Sequence, residues 1–131
     1  MVRQRLNQTS YSKGQHAENA CCEYLRQQGL TLVARNYHGH RGEIDLIMQD
    51  GQTLIFVEVR FRKNSFYGGA LESVTAQKQQ RILHTAEEYL QHETKLKNGR
   101  IDVVAMSEKL QNANIENSDE NYSFEWIKNA F

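Results

Sequence analysis

The chain has 131 residues, of which 39% are hydrophobic and 24% charged, and its formal net charge at pH 7 is zero. This length predicts one domain, residues 1–131, large enough to bury a core. No apolar run reaches the roughly 18 residues that a membrane span needs, and the basic N-terminus lacks the apolar segment of a secretory signal. Cys21 and Cys22 have neither a disulfide nor a zinc spacing. We therefore expect a cytoplasmic protein that does not contact a membrane.

The charges are unevenly distributed along the chain. Residues 1–100 carry 14 Lys and Arg against 10 Asp and Glu, whereas residues 101–131 carry 2 against 6. A basic surface around an acidic pocket, with an acidic tail elsewhere, would suit a phosphodiester partner. Scattered surface charge would give the same totals.

The first predicted element is a helix, preceded by a frayed segment at residues 1–11. Ser12 and Gln15 have the spacing of a capping box, and Gly29 is a natural residue to follow a helix that runs to about Gln28. Glu18 lies beside the inner stripe and could lean into a site at the sheet edge. Alternatively, it is a first-turn acid that the helix dipole favours. The predicted inner stripe is Ala17, Ala20, Cys21, Tyr24 and Leu25.

A strand is predicted next, at residues 30–37, from its β-branched and apolar content. The loop at residues 38–42 leads into the following element. His38 and His40 in this loop are more typical of solvated histidines than of metal ligands. Arg41 could contact a phosphate.

Residues 41–62 predict a β-hairpin around an Asp50-Gly51 turn. Because strand side chains alternate between faces, Asp45 shares a face with Glu43. In the second strand, Glu58 shares a face with Arg60. If the loop has two residues, 50 and 51, Asp45 lies opposite Phe56 and Glu43 opposite Glu58. If it has four, 50–53, Asp45 lies opposite Glu58.

Both hairpin registers place the acids on one face, roughly 5 to 8 Å apart. Two carboxylates about 4 Å apart repel by roughly 4 kcal/mol at an effective dielectric near 20. A covered face would therefore need a cation, a proton or basic partners, and a divalent metal with oxygen ligands meets that need. The alternative is a solvent-facing side of the sheet, where acids alternate outward at little cost.

The loop that follows the hairpin, residues 62–69, combines basic, aromatic and glycine residues. Arg62, Lys63 and Tyr67 in it would suit contact with a nucleic-acid backbone and stacking on a base. A plain connecting loop with one aromatic anchor is the alternative.

The second half of the chain predicts a helix and two strands. Thr75 is the predicted N-cap of a helix from Ala76 to about His92, whose polar first turns carry Gln77, Lys78 and Arg81 and could face phosphate. A strand at residues 100–106, a mobile loop at 107–121 and a last strand at 122–127 complete the chain. The order αβββαββ predicts the α/β class, with a mixed β-sheet flanked by helices on both faces.

Several blocks of the sequence resemble one family. Residues 42–47 (GEIDLI) and 56–60 (FVEVR) resemble the GE-x-DLI…VEVK signature of the YraN family. This uncharacterised bacterial family is related to Holliday junction resolvases in the PD-(D/E)XK nuclease superfamily. Similar blocks occur at residues 35–37, 74–79 and 101–104, so the resemblance covers nearly the whole chain. It implies a restriction-endonuclease-like, resolvase-like fold.

The resemblance also implies roles for individual residues. Asp45 and Glu58, with the backbone carbonyl of Val59, would hold Mg²⁺ or Mn²⁺, and Glu18 would be the additional helix acid of resolvase-like members. Gln77 would help at the helix end. Apart from the resemblance, the loops and the polar first turns described above give the nucleic-acid-binding candidates: Arg41, Arg62, Lys63, Tyr67, Lys78 and Arg81.

One position departs from the family signature: Arg60 stands where the motif has Lys. Arginine can neutralise phosphate but stays protonated at any working pH. The expected function is a metal-dependent endonuclease that acts on DNA rather than RNA, branched or structured DNA included. The alternatives are a non-cleaving protein that binds nucleic acid or a protein partner, and a metal-independent RNA nuclease. A homodimer is suggested only by analogy with resolvases.

Overall fold

The structure is a computed structural model that describes residues 8–62, 69, 71–109 and 122–131, and for residues 8–13 it describes the backbone. The elements in chain order are α1 (Gln8–Gln27), β1 (Thr31–His38), β2 (Glu43–Asp50), β3 (Thr53–Arg62), a short 3₁₀ helix (Leu71–Ser73), α2 (Ala76–His92), β4 (Asn98–Glu108) and β5 (Tyr122–Ile127). The predicted αβββαββ order of helices and strands is confirmed.

The strands form one five-stranded sheet in the order β1-β2-β3-β4-β5. Strands β3 and β4 are parallel, and the other neighbouring pairs are antiparallel. A parallel pair needs a crossover connection, which here contains α2. The mixed sheet of a resolvase-like α/β fold is therefore confirmed.

The two helices cover opposite faces of this sheet. Ile55 and Val57 of β3 pack in a cluster with the inner residues of α1, whereas Leu54 and Phe56 pack in a second cluster with those of α2. The alternation along β3 is what a strand buried on both faces requires. The predicted α1 stripe is confirmed, since its members are buried in the first cluster or pack against it.

The start of α1 differs from the prediction. The helix begins at Gln8, so Ser12 lies inside it and is not its N-cap, and residues 8–11 are helical rather than frayed. The capping-box pattern is a local signal that can recur within a helix, which is why helix starts are hard to place from sequence. The end is as predicted: the helix stops at Gln27, and Gly29 has a φ of 100°.

The hairpin adopts the register in which Asp45 comes opposite Glu58, since Gln49 pairs with Leu54 and Leu46 with Val57. The register that follows from a two-residue loop at 50–51 is therefore wrong, and the register of the four-residue alternative is observed. Asp50 pairs with Thr53, which leaves a loop of residues 51 and 52. Gly51 has a φ of 58°, a left-handed conformation that favours glycine, so the glycine starts the loop and Asp50 stays in the strand.

Strand β4, Asn98–Glu108, is longer than predicted, whereas β5 has the predicted bounds, Tyr122–Ile127. Strand β4 extends to Glu108 because Ser107 and Glu108 still pair with Ser123 and Tyr122 of β5. The predicted loop at 107–121 is therefore wrong at its first two residues, and residues 110–121 lie outside the described part of the chain.

Asp102 is buried in β4, and its contacts give it a structural role. Its carboxylate accepts hydrogen bonds from Arg100 Nε at 3.0 Å, Trp126 Nε1 at 2.8 Å and the backbone N–H of Asn129 at 2.8 Å. These bonds tie β5 and the C-terminal residues to the sheet. None of the helices in the described residues has the length and apolar character to cross a membrane.

Candidate active site

Asp45 lies near the start of β2, where the ladder with β3 ends. Its Oδ2 accepts a hydrogen bond from the backbone N–H of Val59 at 2.8 Å. Burial raises the pKa of Asp45 to about 7, and the negative charges of Glu58 and Glu18 act in the same direction. The hydrogen bond from Val59 opposes this rise only in part, so Asp45 lacks a compensating positive charge.

Glu58 is the buried acid of β3, with 4% of its surface exposed. Its Oε2 is 3.2 Å from Nζ of Lys78 and 3.4 Å from Nη1 of Arg60. The same strand face therefore carries a carboxylate and, two residues on, a cation. A buried carboxylate needs such pairing, because an isolated buried charge is costly.

Glu18 reaches this region from α1. Its Oε1 is buried and has no hydrogen-bond partner among the described residues. Burial raises the pKa of Glu18; the charges of Glu43 and Glu58 add to the rise, and Asn36 and Arg35 oppose it. Asp45 comes opposite Glu58 in the register of β2 and β3, and the charge of Glu18 acts on the pKa of Asp45, so acids from one helix and two neighbouring strands lie near one another.

Arg60 is held by the 3₁₀ helix that precedes α2. Its Nε donates to Oγ of Ser73 at 3.1 Å, and its Nη2 donates to the backbone carbonyl of Ser73 at 3.3 Å. With Nη1 on Glu58, each guanidinium nitrogen has a contact.

The start of α2 brings Lys78 to the site. The Thr75 side chain accepts from the backbone N–H of Lys78 at 3.2 Å, which confirms Thr75 as the N-cap. Gln77 is exposed to solvent. Gln79 donates to the backbone carbonyl of Val74 at 3.1 Å. From the first turn of α2, the side chain that contacts an acid of the site is therefore that of Lys78, and a role for Gln77 stays a prediction.

The other predicted nucleic-acid contacts lie around this centre. Arg41 is exposed with Nη1 3.5 Å from Nε2 of His84 in α2, and Arg81 is exposed on the same helix. Arg62 donates to the backbone carbonyl of Gly69 at 2.9 Å. Two further predicted residues, Lys63 and Tyr67, lie outside the described residues.

The loop that carries Arg41 is fixed to α2. Glu88 accepts from the backbone N–H of His40 at 3.0 Å, and its Oε2 is 2.7 Å from Nδ1 of the same histidine. Nδ1 of His38 is 3.2 Å from Oε2 of Glu43. Both histidines thus pair with glutamates.

Two features of the site were missed by sequence reasoning. Ser73 gave no signal, because its role depends on where the 3₁₀ helix packs. Lys78 was assigned to nucleic-acid binding alone, although a lysine three residues after an N-cap, in the helix that follows the Glu58 strand, was a usable signal.

The chemistry of the acids fits a hard divalent cation, which takes carboxylate and carbonyl oxygens. A buried oxygen of Glu18 has no partner in the described residues. The pKa of Asp45 is raised because no positive charge among the described residues offsets its burial and the nearby negative charges. As the side chains stand, the described residues contain no group of three or more His, Cys, Asp or Glu spaced to hold a metal ion. The fit therefore lies in the donors and not in their present spacing.

Comparison with known proteins gives one consistent result. The family model described as "Uncharacterised protein family UPF0102" matches residues 17–106. A UPF0102 protein of Pseudomonas fluorescens is 42% identical over 120 residues, which cover 90% of this chain and 91% of that protein. UPF0102 proteins of Pseudomonas aeruginosa and Psychromonas ingrahamii are 41% and 42% identical and cover 95% and 97% of this chain and 95% of their own lengths.

Proposed function

We propose that this chain, which belongs to the UPF0102 (YraN) family, is a divalent-metal-dependent endonuclease that hydrolyses phosphodiester bonds of DNA. The observation that carries the proposal is the convergence of Glu18, Asp45 and Glu58 at a point where Lys78 and Arg60 contact the Glu58 carboxylate. The cytoplasmic location, homodimer and preference for branched or structured DNA are parts of this proposal.

The energetics of the acids support a functional role. Partly buried like charges destabilise a fold, and an ordinary structural site would replace one of them with a neutral side chain. Asp102 shows how this chain treats a structural acid, since its carboxylate is satisfied by an arginine, an indole and a backbone N–H. Glu18 and Asp45 have no such set of partners among the described residues. Their burial therefore lowers the stability of the fold, which supports a functional role for the two acids.

Asp45 and Glu58, with the Val59 carbonyl, are the residues that would hold Mg²⁺ or Mn²⁺, and Glu18 would hold it directly or through water. A divalent cation there supplies a lowered pKa for a water molecule and polarisation of the phosphate. In the reaction, the water oxygen forms a new bond to phosphorus, and the bond from phosphorus to one ester oxygen breaks. The attacking water loses a proton to solvent, and the leaving oxygen takes one up.

Positively charged side chains of the protein would contact the phosphates of the substrate. Lys78 and Arg60 both contact the Glu58 carboxylate, and a fixed positive group beside the reacting phosphate would stabilise the negative charge that develops on its oxygens. Arg41 lies against α2 and Arg81 lies on it, so these two would follow the nucleic-acid backbone away from the reacting phosphate.

The test is a cleavage panel of linear, flapped, four-way and single-stranded DNA, with RNA alongside, in Mg²⁺ and in Mn²⁺. We expect at least one DNA substrate to be cut in metal, and Asp45→Ala to abolish the cutting. Asp50→Ala is the matched control, because Asp50 is an exposed acid on the same strand. Cleavage that survives Asp45→Ala, or cleavage of RNA without metal, would overturn the proposal.

A non-cleaving nucleic-acid-binding protein is the second candidate, and one observation favours it. Arg60 replaces the lysine of the nuclease signature, and its guanidinium nitrogens are engaged by Ser73 and Glu58. Metal titration separates the two: Mn²⁺ binding that Asp45→Ala removes supports the enzyme, whereas DNA binding that ignores metal supports the binder.

A further inference from the structure

Two cations contact the same oxygen of Glu58, and they differ in their other contacts. Arg60 donates from Nε and Nη2 to the hydroxyl and backbone carbonyl of Ser73, and from Nη1 to Glu58. These contacts engage all three guanidinium nitrogens and three of the five N–H donors, and the side chain is 31% exposed. A guanidinium held in this way has little freedom to reorient towards a substrate.

Lys78 makes a different set of contacts. Its Nζ is 3.2 Å from Oε2 of Glu58, its side chain is 43% exposed, and within the described residues Glu58 is its sole side-chain partner. An ammonium group has three N–H donors, so two are available on the solvent side. The capping bond of Thr75 to its backbone N–H holds the lysine at the first turn of α2.

We infer that Lys78 is the catalytic cation of this centre and that Arg60 is a positioning residue for Glu58 and the 3₁₀ helix. This inference rests on the proposed function. Within that function, Lys78 takes the role that the family signature gives to a lysine at position 60. Lys78 reaches the carboxylate from a helix, whereas the motif lysine would reach it from the strand that carries Glu58. The two routes bring an ammonium group to the same carboxylate oxygen.

The chemistry explains why an arginine is tolerated at position 60. The Lys78 ammonium donates hydrogen bonds to a non-bridging phosphate oxygen and to the attacking water, and it keeps its proton throughout. Arg60 stays charged at every working pH, and its fork geometry holds Ser73 and Glu58 together, which a lysine cannot do in the same way. With an arginine at position 60, Arg60 therefore positions Glu58, and Lys78 supplies the ammonium group.

The first test is single-turnover cleavage of the DNA substrate found in the panel. Lys78→Gln should lower the rate by about 10²- to 10³-fold, the usual effect of removing one donor to developing charge. Added ethylammonium should restore part of the loss, because it supplies the missing ammonium group. Lys95→Gln is the matched control: Lys95 is an exposed lysine just beyond the far end of α2, and its loss should leave the rate unchanged.

The second test needs no cleavage. DNA binding in Ca²⁺ should show a salt dependence whose slope falls by about one for Lys78→Gln, the mark of one lost phosphate contact, and stays unchanged for Arg60→Gln. The urea midpoint should show a different order, falling further for Arg60→Gln, which removes the contacts with Ser73 as well as the one with Glu58, than for Lys78→Gln, which removes one contact with Glu58.

The outcomes separate this inference from the proposed function. A wild-type protein that neither binds nor cuts any substrate would overturn the function and the role of Lys78 with it. A wild-type protein that cuts, with Lys78→Gln equally fast, would overturn the inference alone. Ethylammonium rescue of Arg60→Gln, and not of Lys78→Gln, would assign the catalytic cation to Arg60.

Discussion

Asp45 is a residue whose ionised form opposes folding. Burial and the charges of Glu58 and Glu18 raise its pKa to about 7, from an ordinary value of 3.8. Between these two values the folded protein holds a proton at Asp45 that the unfolded chain has released. Stability therefore falls as the pH rises from about 4 to about 7, and above pH 7 the loss is complete.

Asp45→Asn should for this reason stabilise the metal-free protein, and more so at high pH. We expect its gain over wild type to be small at pH 4 and to reach about 2 kcal/mol at pH 8, a value discounted for the partial exposure of the group. Urea unfolding at both pH values in EDTA measures the gain, with Asp50→Asn as the exposed control. An equal gain at both pH values would contradict the assignment.

Glu58 gives the complementary prediction on function. Glu58→Gln removes a metal ligand and one negative charge, so we expect cleavage to be lost while DNA binding is preserved or tightened. Fluorescence anisotropy and the cleavage assay on one substrate measure both effects, and Glu72→Gln serves as the exposed control. If Glu58→Gln cuts at the wild-type rate, the site has been assigned to the wrong residues.

At the level of elements, the N-terminus of α2 joins stability to function. Thr75 caps the helix by accepting from the backbone N–H of Lys78. Thr75→Ala should cost about 1 kcal/mol of stability, the usual value of a lost cap. Because that turn carries Lys78, single-turnover cleavage should also slow, even at urea concentrations far below the midpoint of unfolding. Thr75→Ser keeps the hydroxyl and should retain both properties; equal loss in both variants would mean that the methyl group, not the cap, matters.

The loop between β1 and β2 depends on a second inter-element contact. Glu88 of α2 accepts from the backbone N–H and Nδ1 of His40, which holds the loop and Arg41 against the helix. Glu88→Ala should raise the hydrogen-exchange rate of the His40 amide at least tenfold, because that amide loses its acceptor. Amide exchange followed by NMR tests this, with the exposed neighbour Glu87→Ala as control. Unchanged protection at His40 would show that the loop is held by other contacts.

At the scale of the molecule, the order of elements was predictable because its signals are local and periodic. The α1 stripe, the turn at Gly51 and the cap at Thr75 follow from neighbouring residues. The start of α1 was missed because the capping pattern of Ser12 and Gln15 is a local signal that can recur within a helix. The hairpin register depended on whether Asp50 pairs, which the sequence left open.

The candidate site was predictable in its acids and not in its cations. Asp45 and Glu58 follow from strand alternation and from the family resemblance. The contacts of Arg60 with Ser73, and of Lys78 with Glu58, join residues 13 and 20 positions apart through the crossover from β3 to α2. The contact of Arg60 with Ser73 is set by how the 3₁₀ helix packs against β3, which no local pattern in the chain encodes, whereas the position of Lys78 three residues after an N-cap was a usable signal.

The last prediction concerns the whole charged surface. The net charge is zero, yet Arg41, Arg62, Lys78 and Arg81 lie around the site, whereas the last 31 residues carry 6 acids against 2 basic residues. If about four cations neutralise phosphates, the logarithm of the DNA-binding constant should fall with the logarithm of salt concentration with a slope near −3.6. Raising the salt from 50 to 200 mM should then weaken binding by roughly 100-fold.

Anisotropy titrations of a labelled duplex in Ca²⁺ measure this slope. Arg81→Gln and Arg41→Gln should each reduce its magnitude by about one, because each removes one phosphate contact. Lys97→Gln, a charge change of the same size beyond the far end of α2, should leave it unchanged. A wild-type slope near zero would mean that the basic residues around the acids do not neutralise phosphate, and the acids would then have to serve a partner other than nucleic acid.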